Sequence, residues 1–282
     1  MEKTMKGTLY VVIAMILFST GGLFIKLINA SAFSIVFGRA LIAGLFFFPF
    51  IQWKKIKFSK NYIGLVISYC YLCIAFVLTT KITTAANAII LQCTAPLWLY
   101  LFYVIRGKKI VKRELVPRLF ILVGIIVILS ASDGGNVWGD MLALTNGIAY
   151  AAVQHFLEKD YSVSDMSLVG LNNIVLCFVI LLTMGHNLNY SGLSIYGWLG
   201  LIVLGIFQIG ISYVFLFKGV RLISPLKASI VSLLEPILNP ILVFFFIGET
   251  PSLIALIGFV VIFLGIGLTI IPTKRVDQIE EY

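Results

Sequence analysis

Glu235 is a carboxylate inside an apolar stretch, followed at once by Pro236. An ionisable group in a bilayer costs on the order of 2.5–3.5 kcal/mol, so one that is retained faces a cavity or a partner. Ser232 and Asn239 stand three residues before and four after it, which places all three on one helical face. Pro236 and Pro240 each remove a backbone donor, leaving a carbonyl one turn earlier free to meet a substrate or an ion. The set reads as a site for a substrate ammonium or a proton. It reads equally as a kinked helix whose glutamate accepts hydrogen bonds from neighbouring helices.

The same pattern recurs elsewhere. Asn146, Tyr150 and Gln154 recur at four-residue steps and form a polar, aromatic stripe on an apolar segment, suited to a cavity wall. Asn87, Thr94 and Trp98 share another segment, where Ala95-Pro96 introduces a break and Gln92 lies on a neighbouring face. Gln208 and Ser212 are one turn apart with Tyr213 beside them, and Tyr69 and Tyr71 occupy a further segment. The candidate substrate-binding set is therefore Glu235, Ser232, Asn239, Asn146, Tyr150, Gln154, Asn87, Thr94, Trp98, Gln208, Ser212 and Tyr71. The simpler reading is that such groups tie helices together at about 0.6 kcal/mol apiece. Arg39 reads as paired or snorkelling, an anchor rather than a substrate contact. Gly21-Gly22 reads as a site of close backbone packing, His155 as a packing or interfacial residue, and Glu249 as a cap for the last helix. Asn172 and Asn173 read as a rim or as helix-to-helix bonds, and stay outside the candidate set.

Catalytic chemistry finds no footing. H-E-x-x-H, G-x-S-x-G and Walker sequences are missing, so neither an intramembrane enzyme nor direct use of ATP is expected. Cys70 and Cys73 have C-x-x-C spacing, but with no histidine ligands beside them they read as small packing residues, and no metal or cofactor is expected.

What must position these groups is lipid-solvated helix. Of the 282 residues, 60% are hydrophobic and 12% charged, with a mean hydropathy of +1.06, which a soluble core of this size could not hide from water. A span needs about 20 apolar residues. Spans are predicted at 7–27, 33–52, 62–80, 85–105, 118–132, 139–157, 166–184, 196–217, 225–247 and 252–271. The fold class expected is thus an all-α polytopic membrane protein of ten spans with no soluble domain.

The net charge of +9 is gathered in alternate connections. Lys54, Lys55, Lys57 and Lys60 share one loop and Arg106 to Arg118 another, while Lys3, Lys6, Lys159, Lys218, Arg221, Lys227, Lys274 and Arg275 fall on the same side. Such a bias predicts both termini in the cytoplasm and an inner (plasma) membrane location, with no nucleic-acid partner. Ala30-Ser31-Ala32 resembles a signal-peptidase site but lies too far from a usual apolar core for cleavage to be expected.

Internal similarity organises the rest. Thr84-Ala85-Ala86-Asn87-Ala88 through Ala95-Pro96 aligns without a gap with Ser224-Pro225-Leu226-Lys227-Ala228 through Glu235-Pro236. Gly124-Ile125-Ile126-Val127-Ile128 aligns with Gly258-Phe259-Val260-Val261-Ile262, and Gly7 opens the first half as Gly139-Asp140 opens the second. With five spans in each half, residues 1–132 and 133–282, the second enters the membrane upside down. Inverted repeats of this kind enclose a midplane site in secondary transporters.

Glu235-Pro236, Gly248-Glu249, the glycine-rich stretch from Gly258 to Gly267, Gly139-Asp140 and Arg39, taken in order, resemble the EamA type of the drug/metabolite transporter superfamily over essentially the whole chain. The resemblance implies a basket of two five-helix repeats that carries amino acids, nucleobases, sugars or other metabolites. The first half departs from it: Ala95-Pro96 lacks a glutamate and Gly107-Lys108 stands where the second half has Gly248-Glu249. A mechanism based on paired carboxylates therefore lacks one of the pair. The expectation is a monomeric or homodimeric secondary transporter in the lipid bilayer, exporting or facilitating passage of a small-molecule substrate, with an amino acid as first guess. The alternatives are a proton-coupled exporter of organic cations and a non-transporting scaffold or sensor.

Overall fold

The computed structural model describes residues 2–107, 112–130, 136–157, 159, 161–223, 228, 231–232 and 234–270. Among these the regular structure is all helical. Several expected features lie outside the described residues: Lys108, Lys109, Lys227, the ends of the fifth and tenth spans, and the C-terminal Lys274 and Arg275.

Helix α1 covers Glu2–Leu27 and α2 Ala32–Phe47; the side chain of Ser31 caps α2 by accepting from the Ser34 amide. Helix α3 (Lys60–Ile82) starts on Ser59 and α4 (Ala85–Gln92) on Thr84 by the same device. At Cys93-Thr94 the fourth span breaks before α5 (Ala95–Ile105), because Pro96 offers no N–H to the carbonyl of Gln92. Helices α6 (Lys112–Ser130), α7 (Val137–Leu157) and α8 (Asp165–Met184) follow. The eighth stretch starts as α9 (Ile195–Ile202), widens into a π-helix over Val203–Ile211 and closes as α10 (Ser212–Val220). An ordinary helix is expected there. The wide turn instead brings Gly210 against the carbonyl of Gly205, and the Ser212 hydroxyl donates to the carbonyl of Gln208. Helices α11 (Leu234–Ile247) and α12 (Leu253–Ile270) complete the described chain.

Among the described residues, six stretches are long and apolar enough to cross a bilayer: Thr4–Leu27, Ala32–Phe50, Lys60–Ile82, Ala85–Ile105, Asp165–Asn187 and Ile195–Val220. Leu115–Ser130, Leu234–Ile247 and Leu253–Leu268 are apolar but shorter. Helix α7 has 21 residues yet falls outside the six, since Asp140, Asn146, Gln154 and His155 dilute its apolar character.

The helices pack in exchange-related pairs when the apolar stretches are numbered in chain order. The first stretch packs on the eighth as the third does on the sixth, and the first on the ninth as the fourth on the sixth. The second packs on the seventh and the fifth on the tenth, which exchange with themselves. The fifth–tenth contact is made by Gly124 and Gly258: a Cβ on Gly124 would lie 2.8 Å from the Gly258 carbonyl, and one on Gly258 3.0 Å from that of Gly124. Small residues let two backbones approach this closely where lipid gives no hydrophobic push. Gly7 sits on Leu222 and Ile223 as Gly139 sits on Ile82 and Thr83.

Candidate functional site

Where α1, α2, α3, α4, α7, the π-helix, α10 and α11 converge, they leave a cavity lined by Phe18, Arg39, Leu72, Cys73, Phe76, Gln92, Tyr150, Gln208, Ile209, Tyr213 and Glu235. Its volume is about 30 Å³, room for about two waters. Phe18 packs edge-on against Tyr213 at 4.9 Å between ring centroids, and Tyr69 packs on Tyr213 at 5.1 Å.

Arg39 is the correction to the sequence reading. It is neither a rim anchor nor a snorkelling residue: only 1% of it is exposed, and it lines the cavity. Its Nη1 donates to Gln208 Oε1 at 3.0 Å and its Nη2 to the Cys73 carbonyl at 2.8 Å, while Nε has no partner. Two glycines make this possible. A Cβ at Gly205 would lie 2.7 Å from the Arg39 carbonyl, so the π-helix can press against α2, and a Cβ at Gly21 would lie 2.9 Å from Gln208 Nε2.

Glu235 is 4% exposed and also faces the cavity, with no hydrogen-bond or ion-pair partner among the described residues. No ion pair joins it to Arg39. A guanidinium and a carboxyl group thus line one buried space with no ion pair between them, an arrangement that invites a ligand, a proton or water to complete it.

Around these charges the candidate residues fall into three groups. Tyr150 and Gln208 join Glu235 in the wall, with Gln154 and Ser232 near the Tyr150 hydroxyl, and Gln92 accepts from Asn146 Nδ2 at 2.6 Å. Asn146 therefore holds the lining residue Gln92 from behind. A second group makes local bonds within its own stretch: Trp98 Nε1 donates to Thr94 Oγ1 at 3.0 Å where Gly147 of α7 packs, and the Ser212 hydroxyl donates to the Gln208 carbonyl. The third stands away from the cavity. Tyr71 is exposed on the bundle surface and shares a 2.7 Å hydrogen bond with Thr145. Asn87 donates to Asp140 at 3.1 and 3.2 Å. Asn239 is fully buried against Gly22, and both of its amide atoms lack partners.

Asn87 belongs to a polar cluster at one end of the bundle. Asp140 also accepts from Thr83 Oγ1 at 2.5 Å. Lys26 donates to the Thr83 carbonyl at 2.9 Å and pairs with Glu249 at 3.0 Å, and the other oxygen of Glu249 accepts from the Ala85 amide at 2.6 Å. Glu249 therefore serves the start of α4, whereas Ser252 caps α12 by accepting from the Ala255 amide. Lys81 reaches the Ile28 carbonyl at 2.7 Å beside this cluster. These bonds join the ends of α1, α3, α4, α7 and α11.

Among the cavity residues that pattern-reading passed over, Phe18 had a signal. It stands eleven residues after Gly7, as Tyr150 does after Gly139, so the internal repeat pairs them. Cys73, Leu72 and Phe76 carry no such mark.

The EamA-like transporter family model matches the chain twice, over residues 5–130 and 137–271. An "uncharacterized transporter" of Archaeoglobus fulgidus is 22% identical, with 92% of this chain and 94% of that protein covered. One from Clostridium kluyveri is 25% identical, covering 98% and 96%, and the "uncharacterized transporter YxxF" of Bacillus subtilis is 26% identical, covering 92% and 88%. A crystal structure matches with a TM-score of 0.65 at 17% identity, over 93% of this chain and 96% of that one, a likeness of fold.

Proposed function

The chain belongs to the EamA-like transporter family, and we propose that it is a secondary transporter whose cargo site is the cavity between Arg39 and Glu235. The observation that carries this is a guanidinium and a carboxyl group lining one buried space with no ion pair between them. Isolated charges at such depth are expensive, and a small polar molecule that meets both recovers that cost. An amino acid remains the first candidate.

The alternating-access mechanism rests on the inverted-repeat reading of residues 1–132 and 133–282. Two family matches of similar length support it, as do the exchange-related packings and the reciprocal Gly124–Gly258 contact. The cavity is small, and rocking of the halves would widen it and admit cargo from one side at a time. The sidedness of the lysines supports a topology with both termini in the cytoplasm, in which the Lys26–Glu249 cluster is at the outer end. The organic-cation alternative draws support from Glu235 but is opposed by the fixed charge of Arg39 beside it.

Purified protein in proteoliposomes, given a panel of radiolabelled metabolites with and without a pH gradient, tests the proposal. Wild type should accumulate at least one zwitterion, and Glu235→Gln should lose affinity or the response to the gradient. If Glu235→Gln leaves both unchanged, the site assignment is wrong.

A further inference from the structure

We infer that Arg39, held by Gln208 on the π-helix, is the receptor for a carboxylate on the cargo. This deepens the reading of the central cavity as the cargo site and rests on it.

A guanidinium carries five N–H donors in a planar fork. Two of the described hydrogen bonds of Arg39 go to neutral acceptors, the Gln208 amide and the Cys73 carbonyl, and no carboxylate pairs with it among the described residues. An arginine kept purely for packing would be expected to have its donors spent and its charge matched. Here Nε has no partner among the described residues, the residue is 99% buried, and it borders the cavity. Charge and geometry are thus both incomplete on the cavity side, and a planar anion with two oxygens completes them, because the fork matches carboxylate geometry in a two-bond contact.

Gln208 fixes the aim of this group. Its Oε1 takes one nitrogen of the fork, and its amide nitrogen rests in the space that Gly21 leaves open. The π-helix is what turns Gln208 toward α2: the Ser212 hydroxyl and the close approach of Gly205 to the Arg39 carbonyl hold that turn in place. Glu235, unpaired across the same cavity, supplies the site for a positively charged group. The cargo class is therefore a small molecule bearing both a carboxylate and an ammonium, and molecules with the ammonium alone are rejected because they leave Arg39 buried without its anion.

The experiment measures thermal stabilisation of the purified protein in detergent by the twenty L-amino acids, alongside leucinol, threoninol and phenylalaninol, which keep the ammonium but lack the carboxylate. The proposal expects at least one amino acid to bind and its amino alcohol to bind at least about a hundredfold more weakly, as when a buried polar group is left unpaired. Arg39→Lys, which keeps the charge but not the fork, should weaken the best amino acid about tenfold, and Arg39→Gln should abolish its binding. Amino alcohols that bind as tightly as their amino acids overturn the proposal, as does a wild type that binds none of the twenty. These readouts on wild type do not depend on whether a variant folds. Proteoliposome flux separates the two readings: transport of a carboxylate-free amine sinks the Arg39 receptor and leaves a transporter, whereas carboxylate-dependent binding without flux sinks the transporter and leaves the receptor.

Discussion

Gly22→Ala should destabilise the protein through one residue, Asn239. A Cβ on Gly22 would overlap Asn239 Oδ1 and stand 2.9 Å from Nδ2 and 3.0 Å from Cγ. Rotating the amide brings no relief, since both ends and the carbon between them are in the way. Asn239 is fully buried on α11, so α1 and α11 must part slightly to admit the methyl group. Overpacking of this kind costs about 1–3 kcal/mol. At about 2–4 °C per kcal/mol, the midpoint of thermal unfolding in detergent should fall by about 2–12 °C. Asn239→Ala alone removes two amide atoms that lack partners, so its effect should stay within about 1 kcal/mol. The double variant should regain most of the loss, giving a coupling of more than about 1 kcal/mol, where independent sites add within about 0.5. Additive single effects in that cycle, or an unchanged midpoint for Gly22→Ala, would refute the reasoning.

Other outcomes follow from the same geometry. Asp140→Ala strands Thr83 Oγ1 and Asn87 Nδ2, so it should cost about 2–4 kcal/mol in thermal unfolding, and Asp140→Asn, which keeps an acceptor, clearly less. Glu249→Gln retains an acceptor for the Ala85 amide and gives up only a partly exposed ion pair, a loss under about 1 kcal/mol; Glu249→Ala should lose about 2 kcal/mol. If the two Glu249 variants melt alike, the bond to α4 contributes nothing. Gly267 has open space where a Cβ would go, so Gly267→Ala should be neutral or stabilise by up to about 1 kcal/mol, whereas Gly258→Ala, against the Gly124 carbonyl, should lower the melting midpoint.

The membrane-helical character and the family were legible because apolar length and short motifs are local properties of a sequence. Tyr150, Gln208 and Glu235 could be picked out for a similar reason: a polar group on an apolar helix is conspicuous wherever it points. Direction is what a single segment does not encode. Arg39 looked like an anchor because its depth is readable and its partners, Gln208 and Cys73, are not. Tyr71 and Asn87 belonged to polar stripes yet face Thr145 and Asp140 instead of the cavity. Glu249 was read as a local cap, but the amide it serves lies 164 residues away in the chain. The π-helix was hidden as well, since no residue preference distinguishes it from a regular turn and the surface it meets, α2 against Gly205 and Gly210, is distant in the chain.

That widened turn also acts as a phase-setter. A regular helix advances by about 100° per residue, and each wide turn holds back the azimuth of everything that follows. Gln208 and Tyr213 can therefore look into the same chamber although five positions separate them. Tightening Val203–Ile211 to regular pitch with no residue removed would advance everything after it around the axis and swing Tyr213 away from Phe18 and Tyr69. The recognition surface depends on this miscount as much as on the side chains it presents.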